Sequence, residues 1–203
     1  MDLIWLIPIC FGAYMVGNFN LAVALTRSVL KKDIRAQGSG NPGATNMLRN
    51  FGFKWGLVVF LYDLLKGVVP VLVAHFLFDE RVAVYAVALS VVLGHCFPVL
   101  GRFRGGKGVA TMVGAFLVIN PIVTPIAFAV GLVAIFLFHY GALSSLLFIT
   151  IVVPWQMMAD RYLAVSLILI AFYCLVLFTH RGNIWRLLLG KENKARIFGR
   201  RRK

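Results

Sequence analysis

Three short polar stretches in an otherwise apolar chain carry the residue types that bind phosphate. The central one, residues 94–111, reads Gly-His-Cys-Phe-Pro-Val-Leu-Gly-Arg-Phe-Arg-Gly-Gly-Lys-Gly-Val-Ala-Thr, with Arg102, Arg104 and Lys107 and no acid. Glycine lets backbone N–H groups converge on an anion, and Lys or Arg adds full charge. Here Gly105, Gly106 and Gly108 flank Lys107, which favours backbone approach to a ligand over a plain lipid-headgroup anchor. Residues 36–50 hold Ser39, Asn41, Thr45, Asn46 and Arg49, and residues 180–194 hold His180, Asn183 and Glu192. Together the three read as one phosphate-handling site.

Nucleotide hydrolysis is excluded. Gly101, Gly106 and Lys107 reproduce G-x-x-x-x-G-K, but Gly108 stands where Ser or Thr must reach magnesium, and no short strand precedes. Ser/His/Asp orders, metal-ligand spacings and an H-x-x-x-x-D pair are also absent from the sequence, so neither a metal nor a cofactor is expected. Chemistry here rests on binding anions and orienting reactants.

Individual residues in these stretches admit more than one reading. Ser39 and Asn41 suit either a helix cap or a pocket, with Pro42 opening a short helix that aims Asn46 and Arg49 the same way. Arg49 suits phosphate because its fork can bind two oxygens. Asp63 and Lys66, one helical turn apart, form either a structural ion pair or part of the reaction centre. His95 orients the central loop or acts on substrate. Glu192 clamps an Arg or Lys or takes a catalytic role.

Hydrophobic residues make up 61% of the 203 and charged ones 14%, with mean hydropathy +0.88. Soluble domains average about 45–50% apolar and about 25% charged, so this is an integral membrane protein. A net charge of +14 in a soluble chain would suggest nucleic acid. These cations instead sit in short loops between apolar runs, as the positive-inside rule requires, and no nucleic-acid partner is expected. Cys10, Cys96 and Cys174 are odd in number and lie in or beside apolar runs, against a disulfide framework.

The spans that must position the polar stretches are residues 3–25, 56–78, 82–99, 109–119, a fifth ending near His139, 142–158 and 162–179. Met1-Asp2 replaces a basic n-region, so the first run is retained as a helix rather than a cleaved signal. Parity forces a turn at Asn120-Pro121, because residues 180–203 carry nine Lys/Arg and belong in the cytoplasm. The fourth helix is then shorter than the ~20 residues of a full span. The expectation is a single all-α membrane domain over residues 1–203, with seven transmembrane helices. Its N-terminus lies outside, and its C-terminus and all three polar loops, at 36–50, 100–108 and 180–194, are cytoplasmic. Of the twenty-one Lys/Arg, all but Arg81, Arg161 and buried Lys66 then face the cytoplasm. Gly12 and Gly17 are expected at close helix contacts.

Gly-Ser-Gly-Asn-Pro-Gly-Ala-Thr-Asn (residues 38–46), Gly-His-Cys-Phe-Pro-Val…Gly-Gly-Lys-Gly-Val-Ala-Thr and His-Arg-Gly-Asn-Ile…Arg-Leu…Gly-Lys-Glu-Asn-Lys resemble the three signature motifs of the bacterial acyl-phosphate:glycerol-3-phosphate acyltransferases (PlsY). The resemblance extends to Asp63…Lys66-Gly67 and the seven-helix layout. It implies an inner-membrane enzyme in which glycerol 3-phosphate attacks a fatty acyl phosphate through its 1-hydroxyl, giving lysophosphatidic acid and phosphate. This is the first step of phospholipid synthesis, without acyl-CoA, acyl carrier protein or metal. Carried over by position, Ser39, Asn41, Thr45, Asn46 and Arg49 line the pocket, Lys107 and its glycines hold phosphate, and His180, Asn183 and Glu192 complete the site. One departure stands out: Ala142 occupies a position where the family carries Ser, leaving Ser144 or Ser145 as substitutes. Two rival classes share parts of this pattern. An anion transporter would share the buried charges, and an electrostatic lipid-binding protein would share the cationic surface.

Overall fold

In hydrocarbon a chain must satisfy its own backbone polar groups, so the apolar runs become helices. The computed structural model describes residues 3–195. Met1, Asp2 and the tail cations Arg196, Arg200, Arg201, Arg202 and Lys203 lie outside the described residues. Among the described residues the helices are α1 (Leu6–Asn18), α2 (Leu21–Ser28), α3 (Ala44–Phe51), α4 (Phe53–Leu77), α5 (Arg81–Cys96), α6 (Val109–Ile119), α7 (Val123–Phe138), α8 (Gly141–Asp160) and α9 (Leu163–Leu188). Five apolar segments are long enough to cross a membrane: Leu3–Ser28, Phe53–Leu77, Arg81–Gly101, Gly141–Asp160 and Leu163–Leu188. Shorter α6 and α7 are joined by the expected turn, where Asn120 Oδ1 accepts from Val123 N–H at 2.9 Å and caps α7.

Three local departures from the sequence reading have physical causes. The first run is not one helix. Phe19 is extended, and Asn20 restarts the chain by accepting from Val23 N–H at 3.0 Å. The carbonyl of Phe19 freed at this break receives Lys66 Nζ at 3.1 Å, and Lys66 pairs with Asp63 at 2.8 Å. The structural reading of that pair is the one the contacts support. Secondly, residues 180–188 are not loop but two further turns of α9, ended by Gly190 at φ +67°. Finally, α3 opens at Ala44 rather than Pro42, with Gly43 at its N-cap.

Two helix crossings depend on missing side chains. A Cβ on Gly17 would collide with the Val91 carbonyl, and one on Gly94 with the Tyr14 carbonyl, so α1 lies directly on α5. Gly67 meets Thr111 and Gly114 meets Leu64 in the same way, seating α4 on α6. Gly12, expected at such a contact, has nothing within 4 Å of the position a Cβ would take.

At the end away from the polar stretches, buried Asp160 accepts from Tyr85 Oη at 2.5 Å and Gln156 Nε2 at 2.6 Å, and pairs with Arg81 at 2.5 Å. This ties α5 to α8. The main core runs through the middle of the bundle, with Val91, Met112, Phe116, Ile149 and Phe172 fully buried.

The crossings give a direct comparison. Gly67→Leu should lower the unfolding midpoint in detergent sharply, since overpacking against backbone costs at least ~1–3 kcal/mol. Gly12→Leu should leave the midpoint nearly unchanged.

Candidate functional site

The three polar stretches converge at one end of the bundle. Residues 37–43 are folded around Asn46, which is 1% exposed. Its Nδ2 donates to Gln37 O at 2.9 Å and Ile34 O at 3.4 Å, and its Oδ1 accepts from Ser39 N–H at 3.1 Å and Asn50 Nδ2 at 2.8 Å. An amide has two donors and two acceptor lone pairs, so Asn46 is fully engaged. It builds the loop that presents Ser39 and Asn41, a supporting role beside the pocket position that the sequence reading assigned to it.

The central loop is pressed onto α5. Gly106 N–H donates to His95 O at 3.1 Å, and a Cβ there would collide with His95 Nε2. Gly105 meets the His95 and Cys96 carbonyls, and Gly108, at φ +85°, meets Cys96 Sγ. These glycines are needed for packing against the protein. Gly106 lines neither cavity described here, and its N–H is engaged by His95 O. Beneath the loop, His95 Nδ1 lies 3.5 Å from Asp63 Oδ1, linking it to the Asp63–Lys66 pair. His95 therefore supports the loop, and it and Asp63 also line the first cavity described below.

Lys107 emerges from this loop immediately before α6 and donates to Asn183 Oδ1. Asn183 Nδ2 donates to Glu192 Oε1 at 2.9 Å, and Glu192 Oε2 accepts from Arg186 Nε at 2.9 Å. Glu192 thus clamps an arginine, one of its two sequence readings, and fixes which way the Asn183 amide points. Thr179 Oγ1 donates to Lys107 O at 3.2 Å, a tie that no periodicity or motif signals. Burial of the Lys107 ammonium pulls its pKa down to about 8, with Glu192 opposing and Arg186 and Arg49 reinforcing.

Arg49 rises from α3, with Nη2 donating to Asn193 O at 3.3 Å and its buried Nε without a partner among the described residues. Desolvation holds its guanidinium below the usual arginine range. The segment after α9 is strapped across this end by Ala195 N–H donating to His139 O at 2.6 Å. His180 Nδ1 donates to Val176 O at 2.9 Å, so Nε2 is the ring nitrogen left for other partners.

These groups enclose a cavity of about 450 Å³. Ser39, Asn41, Thr45, Asn46, Arg49, Lys107, Gly108, His180, Asn183 and Glu192 lie on its polar wall, and Leu57, Phe60, Val113, Phe128, Leu132, Ile135 and Phe148 form an apolar groove. Phe60 and Phe128 stack at 5.6 Å between α4 and α7. On α8, Ala142, Ser144 and Ser145 all line the cavity. Ser145 Oγ donates to Gly141 O at 3.1 Å, and Ser144 packs against Gly131. Two cations, Arg49 and Lys107, thus stand on a polar wall that runs into an apolar groove.

Comparison with known proteins agrees with that shape. The sequence profile of "Glycerol-3-phosphate acyltransferase" matches residues 7–190. The chain belongs to the glycerol-3-phosphate acyltransferase family. A glycerol-3-phosphate acyltransferase of Thioalkalivibrio sulfidiphilus is 44% identical over 90% of this chain and 90% of its own length. One of Legionella pneumophila is 39% identical over 91% of this chain, which spans 66% of that longer relative. Two crystal structures of PlsY, an integral membrane glycerol 3-phosphate acyltransferase, superpose on the fold. The glycerol 3-phosphate form has TM-score 0.88, 34% identity and 96% coverage of both chains, and the lysophosphatidic acid form has TM-score 0.84. This chain is accordingly a multi-pass membrane acyltransferase of a family that acts in phospholipid synthesis.

With its pKa drawn down to about 8 by burial, Lys107 should lose its charge as pH rises through that value. If its charge binds substrate phosphate, kcat/KM, which reports the free enzyme, should fall as pH rises through about 8. Lys107→Ala should lose on the order of 10²–10³ in turnover and show no such alkaline limb. Steady-state kinetics across pH 6–10, as an assay window of roughly two units either side of that pKa, checks both.

Proposed function

We propose that the enzyme transfers a fatty acyl group from an acyl phosphate to the 1-hydroxyl of glycerol 3-phosphate, releasing lysophosphatidic acid and inorganic phosphate. The observation that carries this reading is the single cavity in which Arg49, Lys107, His180 and Asn183 face one end of an apolar groove. An acyl phosphate needs both parts at once, and it supplies its own leaving group without nucleotide, acyl-CoA or acyl carrier protein. The glycerol 3-phosphate and lysophosphatidic acid forms of the similar PlsY are consistent with the substrate and product assigned here.

In the proposed reaction the 1-hydroxyl oxygen attacks the acyl carbonyl carbon, and the bond from that carbon to the bridging phosphate oxygen breaks. The proton leaves the hydroxyl for an oxygen of the departing phosphate, so no strong protein base is required. Lys107 offsets charge growing on that phosphate, and Arg49 presents its fork to a second pair of oxygens. His180 faces the hydroxyl as it approaches, Ser39, Asn41 and Thr45 hydrogen-bond the head groups, and Ser145 stands in for the family serine replaced by Ala142. Glu192 acts through Asn183 and is a positioning residue.

The same reading places seven spans in the bacterial inner membrane, with the N-terminus outside and the site open to the cytoplasm. Charge asymmetry supports this orientation, because the polar end carries the loop cations while Arg81 and Arg161 lie at the other.

Purified protein in detergent micelles, given acyl phosphate and glycerol 3-phosphate, should release inorganic phosphate and form lysophosphatidic acid. No gradient exists in micelles, so turnover there identifies an enzyme. Uptake of glycerol 3-phosphate into sealed vesicles with no acyl transfer would overturn the reading.

A further inference from the structure

Beside the first cavity lies a second, of about 460 Å³, which the reaction as proposed does not use. The two share Ser39, Asn41, Lys107 and Asn183, so Lys107 stands at their junction. Their chemistry differs. The second cavity has none of the aromatic residues of the groove, and five cations line it, Arg35, Arg104, Lys107, Arg181 and Arg186, with no acid among the lining residues. It suits a small, doubly charged anion and offers nothing to an acyl chain.

Of these cations, Arg186 is answered by Glu192, and Arg181 lies over the Phe178 ring at 4.3 Å. Among the described residues the Arg35 side chain has no ion pair or ring contact, and Asp33 acts on its charge only through space. Its Nε is buried and has no hydrogen-bond partner among the described residues, and the adjacent Asp33 is bonded to Arg27 at 2.7 Å. Arg35 as a whole is only partly buried, but a buried donor nitrogen without an acceptor is costly, which marks the position as one where a partner is expected to arrive.

Arg35 is also held in place. Ile34 is fully buried, its N–H donating to Thr26 Oγ1 at 3.3 Å, and Asp33 Oδ1 accepts from Arg35 N–H at 2.9 Å. The arrangement parallels Arg49 on the first cavity, whose buried Nε is likewise unpartnered.

We propose that the second cavity is a separate site for an unacylated phosphate dianion, with Arg35 as its principal donor. The proposal rests on the acyl-transfer reading, in which two phosphate-bearing molecules must meet at one reacting centre. The groove admits the one with a fatty tail. The basic cavity takes a phosphate without one, either glycerol 3-phosphate approaching the junction at Lys107 or inorganic phosphate leaving it.

The test uses the full chain in detergent. Titration with inorganic phosphate, followed by ³¹P NMR, should show two sites in the wild type and one in Arg35→Gln, with partial recovery in Arg35→Lys. Losing a charge-assisted contact should weaken the affected step by about tenfold to a hundredfold. A rise of that size in KM for glycerol 3-phosphate, with kcat and KM for acyl phosphate unchanged, supports docking of the incoming substrate. A similar rise in the inhibition constant of inorganic phosphate, with both KM values unchanged, supports an exit site.

Unchanged phosphate stoichiometry with normal kinetics would overturn the proposal, as would a fall in kcat alone. Arg104→Gln, at another lining residue of the same cavity, gives a second variant should Arg35→Gln fail to fold. Wild-type protein that never transfers an acyl group would defeat the function reading instead, while the binding titration would still decide whether the second site exists.

Discussion

Lys107 is the constraint on which the site depends. A half-buried ammonium at the edge of a membrane must be held by something that does not neutralise it, or it loses its use to an anion. Here the holder is a neutral amide, Asn183, and the acid stands one residue further back: Glu192 bonds Asn183 Nδ2 and Arg186 Nε. The carboxylate fixes the amide's orientation and balances Arg186, yet leaves Lys107 free of a direct ion pair among the described residues. A direct carboxylate partner would have competed with any incoming phosphate.

The rest of the bundle serves to keep that loop where it is. Close crossings of α1 on α5 and α4 on α6 bring Asp63, Lys66 and His95 together. Lys66 closes the break between α1 and α2, Asp63 answers Lys66, and His95 supports Gly106 from below. Charges that cost much in hydrocarbon are here mutually satisfied and lie directly under the one loop that must stay open. Stability and site geometry therefore share residues.

Much of this was legible in the sequence, though not uniformly. The apolar runs, the turn at Asn120 and the convergence of Ser39, Arg49, Lys107, His180 and Asn183 on one cavity followed from hydropathy and motif content. The break at Phe19 did not, because it is set by Lys66 forty-seven residues away. Asn46 and Gly106 carry the right residue types for phosphate binding but spend them on Gln37, Ser39 and His95, which only coordinates reveal. Residues 180–188 read as loop because they are polar, whereas α9 continues through them with His180 and Asn183 on its buried face. Arg35 passed as one more cytoplasmic cation, since the commitment of the neighbouring Asp33 carboxylate to Arg27 is a three-dimensional fact.

The central claim is that Lys107 and Asn183 act as one unit, and a double-mutant cycle in the acyl-transfer assay tests it most directly. Lys107→Ala, Asn183→Ala and the double variant would be compared by kcat/KM for acyl phosphate. Groups that act as a unit are strongly non-additive, so the double variant should be about as impaired as Lys107→Ala alone. Losses that multiply would contradict the account, because they would mean that Asn183 contributes independently of the lysine it holds.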